Sequence, residues 1–260
     1  MFSNQVIIIT GASSGIGAAL ARLLASQGAK VSLAARDAAL LQQVQADCPG
    51  SLAIPTDVTD PQACQTLVAQ TVAHFGCLDT LVNNAGVSML SRFDDLQELS
   101  VLEKLMQVNY FGAVYCTRAA LPHLRQSCGL LVGISSLAGK TGVPYRTGYS
   151  ASKHAMQGFF DSLRIELIGS GVEVCMVSPG FVQTEIRQHS FGQDGQALGH
   201  NPLQSRRLMS AEECARQIAQ AMQRRQRELL METKGRWLMW GKLLAPRWVD
   251  WLTRRSADHS

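Results

Sequence analysis

The run Val6-Ile7-Ile8-Ile9-Thr10 passes directly into Gly11-Ala12-Ser13-Ser14-Gly15-Ile16-Gly17 and then into Ala18-Ala19-Leu20-Ala21-Arg22-Leu23-Leu24. A short β-branched run reads as a strand buried on both faces, and the alanine- and leucine-rich run as a helix. Strand, glycine-rich turn and helix in that order leave few folds open. The glycines permit a tight turn and close backbone approach, and the helix N-terminus offers unpaired N–H groups to a pyrophosphate. The spacing is TGxxxGxG rather than the commoner GxGxxG.

The same alternation continues along the chain. Lys30 to Ala35 reads as a second strand, Ser51 to Thr56 as a third and Thr80 to Val82 as a fourth. Leu130 to Ile134 reads as a fifth, Val172 to Val177 as a sixth and Glu228 to Met231 as a short last one, with helical patterns between them. No repeat or linker interrupts the series. The expected fold is therefore α/β, a single doubly wound parallel sheet of Rossmann type with helices on both faces. Its ligands should bind beyond the carboxyl ends of the strands. The domain is expected over residues 1–233, with a lid at 185–209 that is rich in Gln, Gly, His and Ser, and a tryptophan-rich tail at 234–260.

At the end of the second strand, where an acid would take the adenosine ribose hydroxyls, stand Ala35 and Arg36. A guanidinium there suits a 2′-phosphate, so NADP(H) is the expected cofactor and NAD(H) the second candidate. Asp57, followed by Val58, has two readings: acceptor for the adenine amino group, or cap of the helix near Asp60-Pro61. Asn83-Asn84-Ala85-Gly86 can tie a strand end to its neighbours while leaving room for a flat ligand. A long helix is expected from Leu99 to Arg125. It carries Asn109, whose side chain is unfavourable inside a helix and so should serve a purpose, of which satisfying a buried backbone group is the simplest.

Tyr149 and Lys153 fall one turn apart if Gly148-Tyr149-Ser150-Ala151-Ser152-Lys153 opens a helix. A free phenol loses its proton near pH ~10, and an adjacent ammonium favours the phenolate, so the pair is a tuned proton donor and acceptor. Ser135 and Ser136 end the fifth strand.

Taken together, Thr10-Gly-Ala-Ser-Ser-Gly-Ile-Gly17, Asn83-Asn-Ala-Gly86, Asn109, Ser136, Tyr149-Ser-Ala-Ser-Lys153 and Pro179-Gly180 with Thr184 resemble the short-chain dehydrogenase/reductase family over roughly residues 4–231. The details after the fifth and sixth strands look most like the hydroxysteroid dehydrogenase subgroup. The resemblance implies Tyr149 as general acid for reduction and base for oxidation, with Ser136 bonding the substrate oxygen. It implies that Lys153 holds the nicotinamide ribose and that Asn109 places a relay water. It also implies cofactor contacts from the loop Gly11 to Gly17, from Asn84, Ala85 and Gly86, and from Pro179, Gly180, Val182 and Thr184. Substrate contacts are expected from Leu137, Ala138, Tyr145, Phe181, Ile186 and the lid; these are mostly apolar and favour a lipophilic ketone or secondary alcohol. A 3-oxoacyl thioester reductase is the alternative among enzymes, with Arg187, Arg206 and Arg207 as a basic patch for a carrier protein. A cofactor-binding regulator or scaffold is the alternative outside them. Self-association to a homodimer or tetramer, through the Asn109 and Tyr149 helices, is implied as well.

Composition narrows the partners. A net charge of +4 without a basic stripe before the tail gives no reason to expect nucleic acid. The seven cysteines (Cys48, Cys64, Cys77, Cys116, Cys128, Cys175 and Cys214) show no paired spacing, which argues against a zinc site or disulfide framework and fits a reducing, cytoplasmic compartment. No secretory leader and no run long enough to span a bilayer are evident. All four tryptophans (Trp237, Trp240, Trp248 and Trp251) lie in the tail among Leu and Arg residues, and Pro246 should split it into two short helices. Packing on protein is the favoured reading of the tail, and peripheral contact with a membrane the other.

Overall fold

The structure is a computed structural model that describes residues 2–200, 208–232 and 241–257. Arg206 and Arg207 of the lid, and Trp237 and Trp240 of the tail, lie outside the described residues. Seven strands form one sheet: β1 (Val6–Thr10), β2 (Lys30–Ala35), β3 (Leu52–Pro55), β4 (Thr80–Asn83), β5 (Leu130–Ile134), β6 (Glu173–Ser178) and β7 (Glu228–Leu230). Their order is β3-β2-β1-β4-β5-β6-β7, and every pairing is parallel. The long helices are α1 (Gly15–Ser26), α2 (Ala38–Ala46), α3 (Pro61–Phe75), α4 (Ser100–Met106), α5 (Gly112–Ser127), α6 (Thr147–Glu166), α7 (Ala211–Gln223) and α8 (Pro246–Ala257). No helix among the described residues is long and apolar enough to cross a membrane.

Strand β1 shows why both faces are covered. Successive side chains point to opposite sides, so Ile7 and Ile9 enter one core with Leu20 and Leu24 of α1 and Ile218 of α7, while Val6 and Ile8 enter the other with Leu67 of α3, Cys116 of α5 and Phe160 of α6. Helix starts follow local chemistry. Asp37 caps α2 by accepting from Leu40 N, and Asp60 caps α3 ahead of Pro61. Ser210 Oγ accepts from Glu213 N at the head of α7. Asp60 therefore takes the cap that the sequence left open to Asp57, whose Oδ1 instead accepts from Thr59 N and Oγ1 at 2.9 and 2.8 Å.

The long helical stretch expected over 99–125 runs unbroken from Ser100 to Ser127, and within it residues Gln107–Phe111 form a π segment between α4 and α5. Asn109 sits in that segment with no exposure. The tail behaves as the proline dictates in its described part, where residues 241–244 are helical and Pro246 opens α8. Val249 is buried, whereas Leu243, Leu244, Trp248 and Trp251 stay exposed.

Helix α1 approaches the turn before it so closely that a Cβ on Gly17 would overlap the Gly11 carbonyl and lie 2.6 Å from Asn84 Nδ2. Alanine for glycine inside a helix ordinarily gains about 0.5–1 kcal/mol. Here the sign should reverse: Gly17→Ala should lose about 1–3 kcal/mol through overpacking, read as a lower urea midpoint at an unchanged m-value.

Candidate active site

The sheet switches direction between β1 and β4, and the site is built around the carboxyl ends of these strands and of β5 and β6. Thr10 Oγ1 receives the N–H groups of Asn84 and Ala85 at 3.0 Å each and donates to Val82 O at 3.3 Å. Asn84 Nδ2 donates to Thr10 O and Gly11 O at 2.8 and 3.1 Å. These bonds fix the turn after β4 against the turn after β1, as the paired amides led one to expect.

The glycine-rich turn fits a dinucleotide pyrophosphate. Gly11 and Gly15 have φ of +65° and +52°, which favour glycine. Ser14, the cap residue of α1, makes no side-chain cap bond, and the first turn holds no acid, so the helix N-terminus is open to an anion. A Cβ on Gly15 would come 3.1 Å from Thr184 Cγ2, which brings the segment after β6 up to the turn. Ser13 and Ile16 are half-buried in the same loop. Arg36 is exposed just beyond β2. Val58 is buried and packs on Gly112, where a Cβ would lie 2.7 Å from Val58 Cγ2.

On the other side of the seam, β5 delivers Ser135 and Ser136. Ser136 is extended and heads the short turn Leu137–Gly139, its Oγ accepting from Ala138 N at 3.2 Å. Ser135 Oγ is buried without a hydrogen-bond partner among the described residues. Helix α6 then presents Tyr149 and Lys153, which are 8% and 4% exposed. Lys153 Nζ donates to Ile134 O at 2.8 Å and lies 6.0 Å from the centre of the Tyr149 ring. Burial pulls the Lys153 pKa down from 10.5 to about 8. Gly86 makes room: a Cβ there would come 3.2 Å from Asn109 Oδ1 and 3.5 Å from Lys153 Nζ.

The Asn109 side chain is fully engaged. Oδ1 accepts from Val87 N at 2.8 Å, and Nδ2 donates to Val87 O and to Ser152 Oγ, both at 2.9 Å. It therefore locks the chain after Gly86 to the turn that carries Lys153, which is the backbone-satisfying role that its place in a helix implied.

The residues expected to contact substrate differ in their surroundings. Ala138 and Tyr149 share a small apolar cluster with Met89, Val101 and Leu105, against which Phe191 of the lid packs. Leu137 and Ile186 are half-buried, while Phe181 is 40% exposed. Tyr145 has φ +64°, a strained value for an aromatic residue, and its carbonyl accepts from Ser91 N at 3.0 Å. The lid is stitched down by Phe191 N to Ser88 O, Leu90 N to Phe191 O and Gln97 N to Gln193 O, each 2.9 Å. A cavity of about 500 Å³ opens between the lid and the 90–95 loop; it is lined by Tyr145 and largely by polar groups such as Ser91, Arg92 and Gln193.

Three participants escaped the sequence reading. Glu232 Oε1 accepts from Phe181 N at 3.3 Å, and only a glycine at 180 leaves room for that carboxylate. Lys140, just beyond the Ser136 turn, pairs with Glu228 of β7. Arg146 lies beside Tyr149, its Cζ 6.0 Å from the ring centre. A cation placed three residues before the tyrosine, where a helix start disfavours it, was the available signal for the last.

Residues 5–195 match the family model described as short chain dehydrogenase. The chain is 36% identical over 263 residues to 11-beta-hydroxysteroid dehydrogenase 1A of Arabidopsis thaliana, covering 95% of this chain and 74% of that one. It is 37% identical over 269 residues to dehydrogenase/reductase SDR family protein 7-like of Dictyostelium discoideum, covering 100% and 84%. Among solved structures, a short-chain dehydrogenase/reductase of unknown function from Caenorhabditis elegans, crystallised with cofactor, superposes with a TM-score of 0.77 at 26% identity over 88% of this chain and 93% of that one.

The buried ammonium has a cost that can be measured. With a folded pKa of about 8 against 10.5, the penalty is full below pH 8, because both states then carry the proton. It is relieved as pH rises towards 10.5, because the folded state sheds the proton first, so stability increases across that window. In cofactor-free protein, Lys153→Met should be more stable than the parent at pH 7 by about 1–3 kcal/mol. The difference should shrink by pH 9.5, as thermal unfolding at the two pH values would show.

Proposed function

The chain belongs to the short-chain dehydrogenase family and is an oxidoreductase of that family; from this premise we propose that it is NADP(H)-dependent, exchanging a hydride with a ketone or secondary alcohol, with Tyr149 as the acid/base. The observation that carries the reading is the buried Tyr149–Lys153 pair, with Lys153 bonded to Ile134 at the end of β5 and close to the glycine at 86. When bound, the nicotinamide supplies or accepts the hydride.

The chain's own residues do the rest. Tyr149 donates its proton to the substrate oxygen as negative charge grows there, and takes it back in oxidation. Ser136 Oγ is a second donor to the same oxygen, and two preplaced donors in a water-poor site stabilise that charge more than solvent would. The Lys153 ammonium favours negative charge on the phenol oxygen and is the natural partner of the cofactor's ribose hydroxyls. Asn109 holds the floor through Val87 and Ser152. Arg36, exposed and free of any ion pair among the described residues, would meet a 2′-phosphate. Cytoplasmic placement and self-association through α5 and α6 belong to the same reading.

The test is cofactor oxidation with NADPH and NADH in parallel over neutral and charged ketones. Tyr149→Phe should abolish turnover. Arg36→Asp should depress kcat/KM with NADPH about ten- to hundredfold more than with NADH, the loss of a charged hydrogen bond plus added repulsion. Persistent turnover in Tyr149→Phe would overturn the acid/base assignment, and equal losses with both cofactors the 2′-phosphate contact.

The tail carries a second proposal, peripheral contact with an anionic membrane surface. Leu243, Leu244, Trp248 and Trp251 are 76%, 84%, 59% and 52% exposed, so packing on this subunit does not account for them. Lys242, Arg247, Arg254 and Arg255 stand among them, the combination of apolar, indole and basic groups suited to an interface. The full chain should sediment with anionic vesicles and not with neutral ones, and a chain ending at residue 233 should remain in the supernatant with both.

A further inference from the structure

Arg146 is hard to explain by stability. It stands at the head of α6, where a cation opposes the helix macrodipole, and the first turn of α6 contains no acid to offset it. Its guanidinium presents five N–H donors in a rigid fork. Among the described residues that fork makes one hydrogen bond, Nη1 to the buried Ser88 Oγ at 3.2 Å, and no carboxylate comes within ion-pair distance. The residue is half-buried, and the loss of water pulls its pKa down without removing the charge. A partly desolvated cation without a counterion is costly unless a partner arrives from outside.

Its location says what kind of partner. The guanidinium lies 6.0 Å from the centre of the Tyr149 ring, the same distance as the Lys153 ammonium. Its one hydrogen-bond partner, Ser88, also receives Phe191 N of the lid through its carbonyl. The fork is thus beside the Tyr149 ring and next to the lid. A carboxylate or phosphate accepting from it at about 2.8 Å would sit within the length of a short acyl chain from the phenol oxygen.

We propose that Arg146 recognises an anionic group carried by the substrate itself, so that the reacting carbonyl belongs to a keto carboxylate or a ketone phosphate monoester and not to a neutral lipid ketone. The proposal rests on the reading of Tyr149 as proton donor and sharpens its substrate class. The planar guanidinium pairs bidentately with both kinds of anion.

The experiment compares three substrates of equal chain length with NADPH: a neutral methyl ketone, the corresponding keto carboxylate and the corresponding keto alkyl phosphate. In the parent protein kcat/KM for at least one anion should exceed that for the neutral ketone by about tenfold or more. The two anionic arms decide which one is preferred. Arg146→Met should lower that ratio at least tenfold, and Arg146→Lys should restore part of it. A ratio near one in the parent, or one unmoved by Arg146→Met, overturns the proposal. So does a variant that shifts the pH dependence of kcat alike for all three substrates at an unchanged ratio, because Arg146 would then act on Tyr149 alone. Silence with every carbonyl would fault the proposed reaction instead, and binding then decides the inference. With NADP+ present, hexanoate or hexyl phosphate should raise the Tm of the parent and not of Arg146→Met; no rise, or equal rises in both, overturns it.

Discussion

The molecule depends on the seam between β1 and β4. There the strand order turns back on itself; the two strands pair through Ile9 and Val82, and a bond between their turns carries the junction beyond them. Thr10 and Asn84 supply it: one hydroxyl takes two N–H groups and gives one bond to a carbonyl, and one amide serves two carbonyls. Each such bond contributes only about 1 kcal/mol net, but leaving one of these groups unpaired would cost its full desolvation. The seam is therefore hard to remodel piecemeal. It sets the distance between the glycine turn, which can cradle phosphates, and the β5 end, where the serines and the tyrosine stand.

Much of this was legible in the chain because the signals are local. The strand runs are continuous and apolar, and β1, β2 and β5 fall where the sequence placed them. Gly86 and Asn109 could be singled out as well. What could not be read was how they serve one another. The Asn109 side chain bonds Val87, twenty-two residues earlier, and Ser152, forty-three later. The π segment around it answers that long-range demand, which no helical periodicity announces. Asp57 stands four residues before Pro61 and Asp60 directly before it, and the backbone path makes Asp60 the cap. Of the apolar residues picked from the sequence, Ala138 packs with Tyr149, while the cavity beneath the lid is substantially polar, because lid loops are positioned by pairing with the 88–97 segment rather than by their own pattern.

The centre concentrates positive charge where a stable protein would avoid it. Among the described residues, Lys153 is buried without a carboxylate partner, and Arg146 is half-buried without one. Both lie 6.0 Å from the centre of the same aromatic ring, that of Tyr149. Such placement is unfavourable in the resting molecule and becomes favourable when negative charge arrives, either on the phenol oxygen or on a bound molecule. That is the usual exchange between stability and activity at functional sites, and it explains why the supporting shell of Asn109, Ser152, Ile134 and Ser88 is so fully bonded.

The short edge strand β7 has a consequence of its own. It contributes three residues to the sheet, yet its continuation reaches back through Glu232 to the backbone of Phe181, and Glu228 at its start holds Lys140 beside the Ser136 turn. The segment leading to the tail is thus tethered at two points to the loops that flank the reaction centre. Thermodynamic reciprocity then applies. If docking of the tail moves this strand and so alters the grip on a ligand, occupancy by that ligand must alter the affinity of the docked tail by the same factor. In that case the β7 edge of the sheet would couple where the protein rests to what it holds.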